Sequence, residues 1–324
     1  MRQFGLIWIL ALLCALQPAV AATPTLRAGV LKFGTVNWEL QTIKQHRLDE
    51  AEGFHLEVTP YAGKLATTTA LHGGAVDVIV NDWLWVSRQR SAGRGYGFIP
   101  YSRMNGALMV AADSGIASLA ELQGKKVGIA GGPVDKSWLL IQALARQQHH
   151  IDLKQRIDAV YGAPPLLAKK LQSGELDAVI TFWHYAARLE AAGFRRLVDI
   201  GDALEQLGMP PDVPMVGYVF SPALSDNPGD LVQAFDRAAR RAKAILATQP
   251  DAWLTLEPLM NADSAASLQT LKAGYKAGIP THWGEVERRQ AANLFSLLAE
   301  LGGEPLVGKA TALAPGTFIE AVRY

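Results

Sequence analysis

The sequence predicts an α/β protein of two similar lobes joined by two crossovers, and three observations carry that prediction. Two stretches one hundred positions apart nearly repeat each other: Leu71 to Trp83 reads LHGGAVDVIVNDW and Leu171 to Trp183 reads LQSGELDAVITFW. A strand–turn–helix pattern that begins at Leu26 restarts at Lys126 (KVGIAGGPVDKSW). A stiff connector, Pro210-Pro211-Asp212-Val213-Pro214, follows the second repeat, and its prolines restrict both their own φ and that of the preceding residues. A chain of 324 residues, 49% hydrophobic with mean hydropathy +0.10, is long and apolar enough for two domains.

The first twenty-two residues read as a secretory signal peptide: Arg2, an apolar run from Phe4 to Leu16, then Pro18 and the small-residue end Val20-Ala21-Ala22. That run is too short to span a membrane. Cys14, the single cysteine, lies inside it, so the processed chain is expected to lack disulfides, thiolate metal sites and a cysteine nucleophile. Leu13 before Cys14 is a poor match to a lipoprotein signal, and a free periplasmic protein, expected as a monomer, is the reading. Removal of Arg2 leaves 30 Lys and Arg against 30 Asp and Glu, a balance that favours neither nucleic acid nor an anionic membrane as partner.

Leu26 to Leu31 reads as the first strand and Asn37 to Asp49 as a helix with Asn37 as N-cap. Phe54 to Thr59 is the second strand. Lys64 to Leu71 opens the first repeat, in which a helix ends at Gly74, Asp77 follows, and an uninterrupted Val/Ile run climbs to Trp83, as a strand covered on both faces requires. Asp82 to Gln89 reads as a helix, and Tyr96 to Tyr101 and Gly106 to Ala112 as strands. In the second half come a strand (126 to 130), a helix (135 to 147), a strand (157 to 161), a helix (165 to 171) and the second repeat, with Gly174, Asp177 and Trp183 in register with the first. A helix (185 to 192), a strand (196 to 200) and, beyond the connector, the apolar run Met215 to Phe220 follow. From Gly229 the pattern is mostly helical: 229 to 248, 251 to 260, 262 to 277 and 284 to 301. These helices are expected to pack back onto the first lobe. The chain would then cross between lobes near residues 110 and 210, giving a first lobe of 23–110 plus 212–324 and a second of 111–211, a hinge layout suited to closing on a ligand.

Open α/β sheets hold ligands at the carboxyl ends of their strands. Trp38, Trp83, Trp138 and Trp183 each fall at such an end or at the start of the next helix, where an aromatic can stack on a planar ligand or hold a cation. At least two of the four are expected to line the cleft, with core packing the alternative for each taken singly. Gly131-Gly132-Pro133-Val134-Asp135-Lys136-Ser137-Trp138 joins a strand to a helix through glycines. Such a turn offers backbone N–H groups to an accepting or anionic group, the alternative being an ordinary connection capped by Asp135. Gly63-Lys64 can act in the same way, or Lys64 can simply be solvated. His184 stands between ligand contact and a supporting role, and His149-His150 reads as a solvated pair. The serine-hydrolase elbow, the HExxH zinc signature, the P-loop and calcium-loop spacing do not occur, so neither an enzyme nor a metal or cofactor is expected.

With FGTVNW, TALHGGAVDVIV, KVGIAGGPVDKSWLLIQAL and LQSGELDAVI on view, the stretch from Leu26 to Ala192 resembles the solute-binding proteins of ABC importers in the nitrate/sulfonate/taurine group, which includes the NMT1-like binders of the thiamine pyrimidine precursor. The resemblance implies a type II periplasmic binding fold, with an inner-membrane permease and ATPase as partners and a small polar organic solute trapped between the lobes. Positions matching the family's binding loops supply the candidate ligand-binding residues: Phe33, Asn37 and Trp38; Lys64; Asn81, Asp82 and Trp83; Gly132, Asp135, Ser137 and Trp138; Trp183 and His184. GGPVDKSW lacks the Ser/Thr-rich run often found where relatives hold a sulfonate. The same fold also hosts a yeast-type pyrimidine synthase, which looks to a cysteine-rich motif that the processed chain lacks. A periplasmic partner of a membrane sensor is the other alternative.

Overall fold

A computed structural model describes residues 23–226 and 229–324; residues 1–22, which the sequence reading takes as a signal peptide, lie outside the described residues. Ten strands form two five-stranded sheets. They are β1 (Thr25–Leu31), β2 (His55–Tyr61), β3 (Val78–Asp82), β4 (Gly97–Ser102), β5 (Ala107–Ala111), β6 (Lys126–Ala130), β7 (Asp158–Gly162), β8 (Ala178–Thr181), β9 (Phe194–Asp199) and β10 (Val216–Phe220). The first sheet runs β2-β1-β3-β10-β4 and the second β7-β6-β8-β5-β9. The fold is therefore two α/β lobes, as the repeat predicts. In each, four strands run in one direction, and the one antiparallel strand is the first laid down after a crossing: β10 between β3 and β4, β5 between β8 and β9.

That pairing moves the first crossing. It falls at 103–106, because β5 pairs with β8 and β9, whereas the sequence reading carried the first lobe to residue 110. A wholly buried run such as Ala107 to Val110 suits the interior of either sheet, so its burial does not reveal its partners. The second crossing, 207–215, holds the proline connector. Arg103 Nη1 donates to Asp212 Oδ1 at 2.7 Å, tying the two crossings together.

The repeats are built as read, and their aspartates have a structural task. Gly74 and Gly174 end their helices in the left-handed region (φ 69° and 75°). Asp77 then accepts the Arg27 backbone N–H at 2.9 Å, and Asp177 accepts that of Lys126 at 2.8 Å. Each carboxylate thus pins the start of the neighbouring parallel strand. The first helix is shorter than expected, Val36–Gln45, and the chain turns at Arg47 (φ 49°) into a separate turn, Leu48–Ala51. Thr35, not Asn37, precedes that helix. Asn37 Nδ2 instead donates to the carbonyls of Leu31 and Gly34 at 2.9 and 2.7 Å, closing the loop after β1. A helix that the sequence reading left out, Ile200–Gln206, follows β9 with Asp199 capping the Gly201 N–H at 2.8 Å.

The terminal helices do more than cover the first lobe. Asp230–Thr248 packs on Val36–Gln45 as expected, but Ala265–Ala277 lies against Trp183–Ala191 of the second lobe. Glu285–Val307, kinked at Gly303, touches both Trp83–Ser91 and Lys136–His149. Gly274 permits the first of these seams, since a Cβ there would lie 2.7 Å from the Trp183 ring. Inside the first lobe, buried Glu39 accepts from Lys243 Nζ at 2.6 Å, Tyr218 Oη at 2.7 Å and Tyr275 Oη at 2.9 Å, so a charge withdrawn from water is fully met.

Candidate functional site between the lobes

The carboxyl end of β3 meets the start of the helix Lys136–His149, and charge gathers there. Asp82 ends β3 and caps the helix Trp83–Ser91 by accepting the Trp85 N–H at 2.8 Å. Its other oxygen takes Lys64 Nζ at 3.3 Å from the same lobe and Lys136 Nζ at 3.0 Å from the opposite lobe. Burial works against the Asp82 charge, but Lys136, Lys64 and the Trp85 N–H outweigh it and hold the carboxyl far below the usual range. Burial likewise opposes the Lys136 charge, and Asp82 with Asp135 more than offsets it, raising the ammonium's pKa. The sequence reading passed over Lys136, although there was a signal. Lys64 and Lys136 are each the first residue of a helix, where the dipole disfavours a cation, so each calls for a carboxylate partner.

The expectation of free backbone N–H groups at this helix start is corrected. Asp135 Oδ1 accepts from Ser137 N at 3.0 Å and Trp138 N at 3.3 Å, so a carboxylate of the chain itself already occupies the position. Burial raises the Asp135 pKa, with Lys136 and the two N–H groups pulling the other way. Gly131 and Gly132 both adopt φ 92°, and a Cβ on Gly131 would lie 2.5 Å from Asp135 Oδ2, so the glycines serve the tight turn that brings Asp135 round to its cap.

The tryptophans divide. Trp83 is fully buried in the first lobe, its Nε1 donating to the Pro214 carbonyl at 3.0 Å and its ring edge-on to Phe318. Trp138 is buried at the start of its helix. These two belong to the core, against the cleft position expected for them, because each is the first apolar residue of its helix and is turned into the protein interior. Trp38 and Trp183 meet across the seam between the lobes, edge to face with centroids 6.2 Å apart, and Trp253 and Tyr275 complete the cluster behind Trp38. Phe33 stands on the surface at 66% exposure under Lys32. His184 is packed beside Tyr185, and burial together with Arg188 lowers its pKa to about 3. Arg188, also missed, crosses the seam: Nη1 donates to the His184 carbonyl and Nη2 to the Met260 carbonyl, both at 2.7 Å. Thr270 Oγ1 donates to the Ala187 carbonyl at 3.0 Å in the same seam.

Two polar groups at the strand ends have no partner among the described residues: Asn81 Nδ2 beside Asp82, and Thr181 Oγ1 at the end of β8. Asn81 has its other side-chain atom engaged, Oδ1 accepting the Asp82 N–H at 2.9 Å. Among the described residues no group of three or more His, Cys, Asp or Glu is placed to hold a metal ion. No helix among them is long and apolar enough to cross a membrane.

Comparison with known proteins places this architecture. The chain is similar to the periplasmic aliphatic sulphonate binding protein SsuA from Escherichia coli, at 20% identity and a TM-score of 0.71 over 91% of this chain and 97% of that one. It is similar to the alkanesulfonate-binding protein SsuA from Xanthomonas axonopodis pv. citri bound to MOPS, at 18% identity and a TM-score of 0.67 over 92% and 99%. The zinc-bound ligand-binding component of an ABC-type import system from Staphylococcus aureus aligns at 16% identity and a TM-score of 0.65 over 92% and 96%. Likeness at these identities concerns the fold. No curated protein matches the sequence. Residues 50–253, well over half of the chain, match the family described as NMT1/THI5 like, and the protein belongs to that family.

Proposed function

We propose that the protein is the solute-binding component of an ABC importer, exported to the periplasm by its N-terminal segment and capturing a small polar organic solute between its two lobes. The observation that carries this reading is the pair of side chains that meet across the seam: Lys136 of the second lobe on Asp82 of the first, beside Trp183 on Trp38. Contacts of this kind exist only when the lobes are closed, and they surround strand ends that carry buried polar atoms without partners. A ligand that binds mainly the closed form shifts the population toward it. Binding rather than chemistry is also supported by the engagement of the acidic groups, with Asp82 in ion pairs and Asp135 in a helix cap. The proposed contacts are Lys64, Asn81, Asp82, Ser137 and the Trp38–Trp183 pair, with Lys136 and Thr181 added.

A thermal-shift screen over small polar solutes tests capture, because a ligand selective for the native state stabilises it by mass action. Solution scattering of any stabilising pair should then show a more compact bound state than the free protein. An unchanged radius at saturating ligand would argue for a rigid pocket and against the importer reading. N-terminal sequencing of protein recovered from the periplasm should give a chain beginning near Ala22 or Thr23.

A further inference from the structure

We infer that the cargo carries no net charge, being either a neutral hydrogen-bonding molecule or a zwitterion whose charges cancel; this rests on the capture reading above and narrows it. Four charged side chains surround the strand ends: Lys64, Asp82, Asp135 and Lys136. They balance, and they are already committed to one another. Asp82 is buried and holds both lysines, at 3.3 and 3.0 Å, while Asp135 caps two backbone N–H groups. An anion that recruits Lys136 must take it from Asp82, leaving a buried carboxylate with only Lys64, whose side chain is 58% exposed. A cation that recruits Asp82 leaves Lys136 with Asp135 alone, which acts on it from beyond ion-pair distance. Either event removes one partner from a buried pair, which is the costly way to disturb one. A molecule without net charge leaves the pair intact.

The remaining hydrogen-bonding capacity is uncharged and symmetric between the lobes. Asn81 is 3% exposed and Thr181 2% exposed, and they stand at the ends of β3 and β8, which occupy the same place in their two sheets. Asn81 Nδ2 is a donor and Thr181 Oγ1 a donor or acceptor, and neither has a partner among the described residues. Buried polar atoms in folded proteins are almost always satisfied, so these two mark where an uncharged ligand group belongs. Of the nearby basic groups, Arg88 donates to the Pro305 carbonyl at 3.4 Å, Arg188 donates to two carbonyls at the lobe seam, and half-buried His184, its pKa lowered to about 3, is uncharged at neutral pH.

The experiment is a thermal-shift panel at pH 7.5 on the processed protein, with solutes grouped as anions (including isethionate and nicotinate), cations (including choline and the ring-methylated pyridinium form of nicotinamide), and neutral or zwitterionic molecules (including nicotinamide and taurine). Calorimetry of the best hit and its charged analogues, repeated on Asp82→Asn and Lys136→Met, completes it. Asparagine is a good N-cap, so the first variant keeps the helix start. The wild-type protein should bind the uncharged member at least tenfold more tightly than its singly charged analogue. Asp82→Asn should shift the preference about tenfold toward the anion, and Lys136→Met about tenfold toward the cation. Best hits that are singly charged, or variants that leave the charge preference where it was, overturn the inference while leaving capture standing. Absence of any stabilising solute in all groups overturns the capture reading itself and this inference with it.

Discussion

The two repeats share helix, glycine, aspartate, strand and tryptophan, yet they have been put to different uses at the strand end. In the first, Asp82 precedes the tryptophan, caps its helix and gathers two lysines. In the second the same place is taken by Phe182, which leaves its helix without a side-chain cap. Trp83 then turns into its own lobe, whereas Trp183 reaches the other lobe. The next position is Leu84 in one copy and His184 in the other. The arginine five positions after each tryptophan is retained, Arg88 bonding Pro305 and Arg188 bonding Met260. One backbone design thus supplies a rigid, charged wall from the first lobe and an aromatic, seam-forming wall from the second.

The largest expected effect separates the tryptophans. Trp83→Ala should lower stability by about 3–5 kcal/mol, the cost of a large cavity in a closed core, with ligand affinity per folded molecule retained. Trp183→Ala should cost less stability, because its cavity opens onto the seam, and should weaken ligand binding by about 1–3 kcal/mol through lost apolar burial and aromatic contact. Denaturant unfolding and calorimetry on both variants check this. Equal losses of stability, with affinity untouched in both, would erase the distinction between core and seam.

Next is the pH dependence introduced by His184. Its folded pKa, about 3, lies below the ordinary value of 6.5, so the unfolded chain binds a proton that the folded chain refuses. Stability from this residue is complete above pH 6.5 and falls by up to about 1.4 kcal/mol for each unit of acidification below it, until pH approaches 3. Asp82 has a depressed pKa, so its contribution is present above the unfolded carboxylate value of about 3.9 and is lost only below that, whereas His72, whose pKa burial lowers, and Asp135 and Asp236, whose pKa values burial raises, act beside His184 in the interval from pH 6.5 to 4. His184→Leu, borrowing the residue of the first copy, should flatten the stability curve there relative to the native protein. Parallel curves would mean that the imidazole titrates normally.

Smaller differences are expected between the repeat aspartates. Asp77 holds the Arg27 backbone and its guanidinium, with Nε at 2.9 Å and Nη2 at 2.6 Å, whereas the Asp177 carboxylate is seen to hold the Lys126 backbone alone. Asp77→Ala should cost about 2 kcal/mol and Asp177→Ala about 1 kcal/mol, each through a stranded backbone N–H, the first with a charged partner lost as well. Reversal of that order by chemical denaturation would remove the arginine from the account. Smallest of all, Phe182→Asp should give the second copy the cap it lacks and stabilise it by about 0.5–1 kcal/mol, since Phe182 already has the extended backbone (φ −71°, ψ 152°) of an N-cap residue. No gain in melting temperature would show that the apolar ring contributes as much as the cap.

The sequence by itself determined the two α/β lobes, the repeated unit and most strand and helix positions. Periodicity, glycines at left-handed turns and Val/Ile runs are local statements, and local physics obeyed them at Gly74, Gly174 and the strands that follow. The family, too, was legible in its motifs. The tertiary structure alone decided which sheet took β5, since a run buried on all sides reads the same in either lobe. It also decided that Asp82 and Lys136 meet from opposite lobes, and that Trp83 and Trp138 face inward while Trp38 and Trp183 face each other. Those outcomes depend on the direction a side chain takes and on partners tens of residues or more away. A position in the sequence places a residue at the end of a strand, but the packing of one lobe on the other determines what that residue touches.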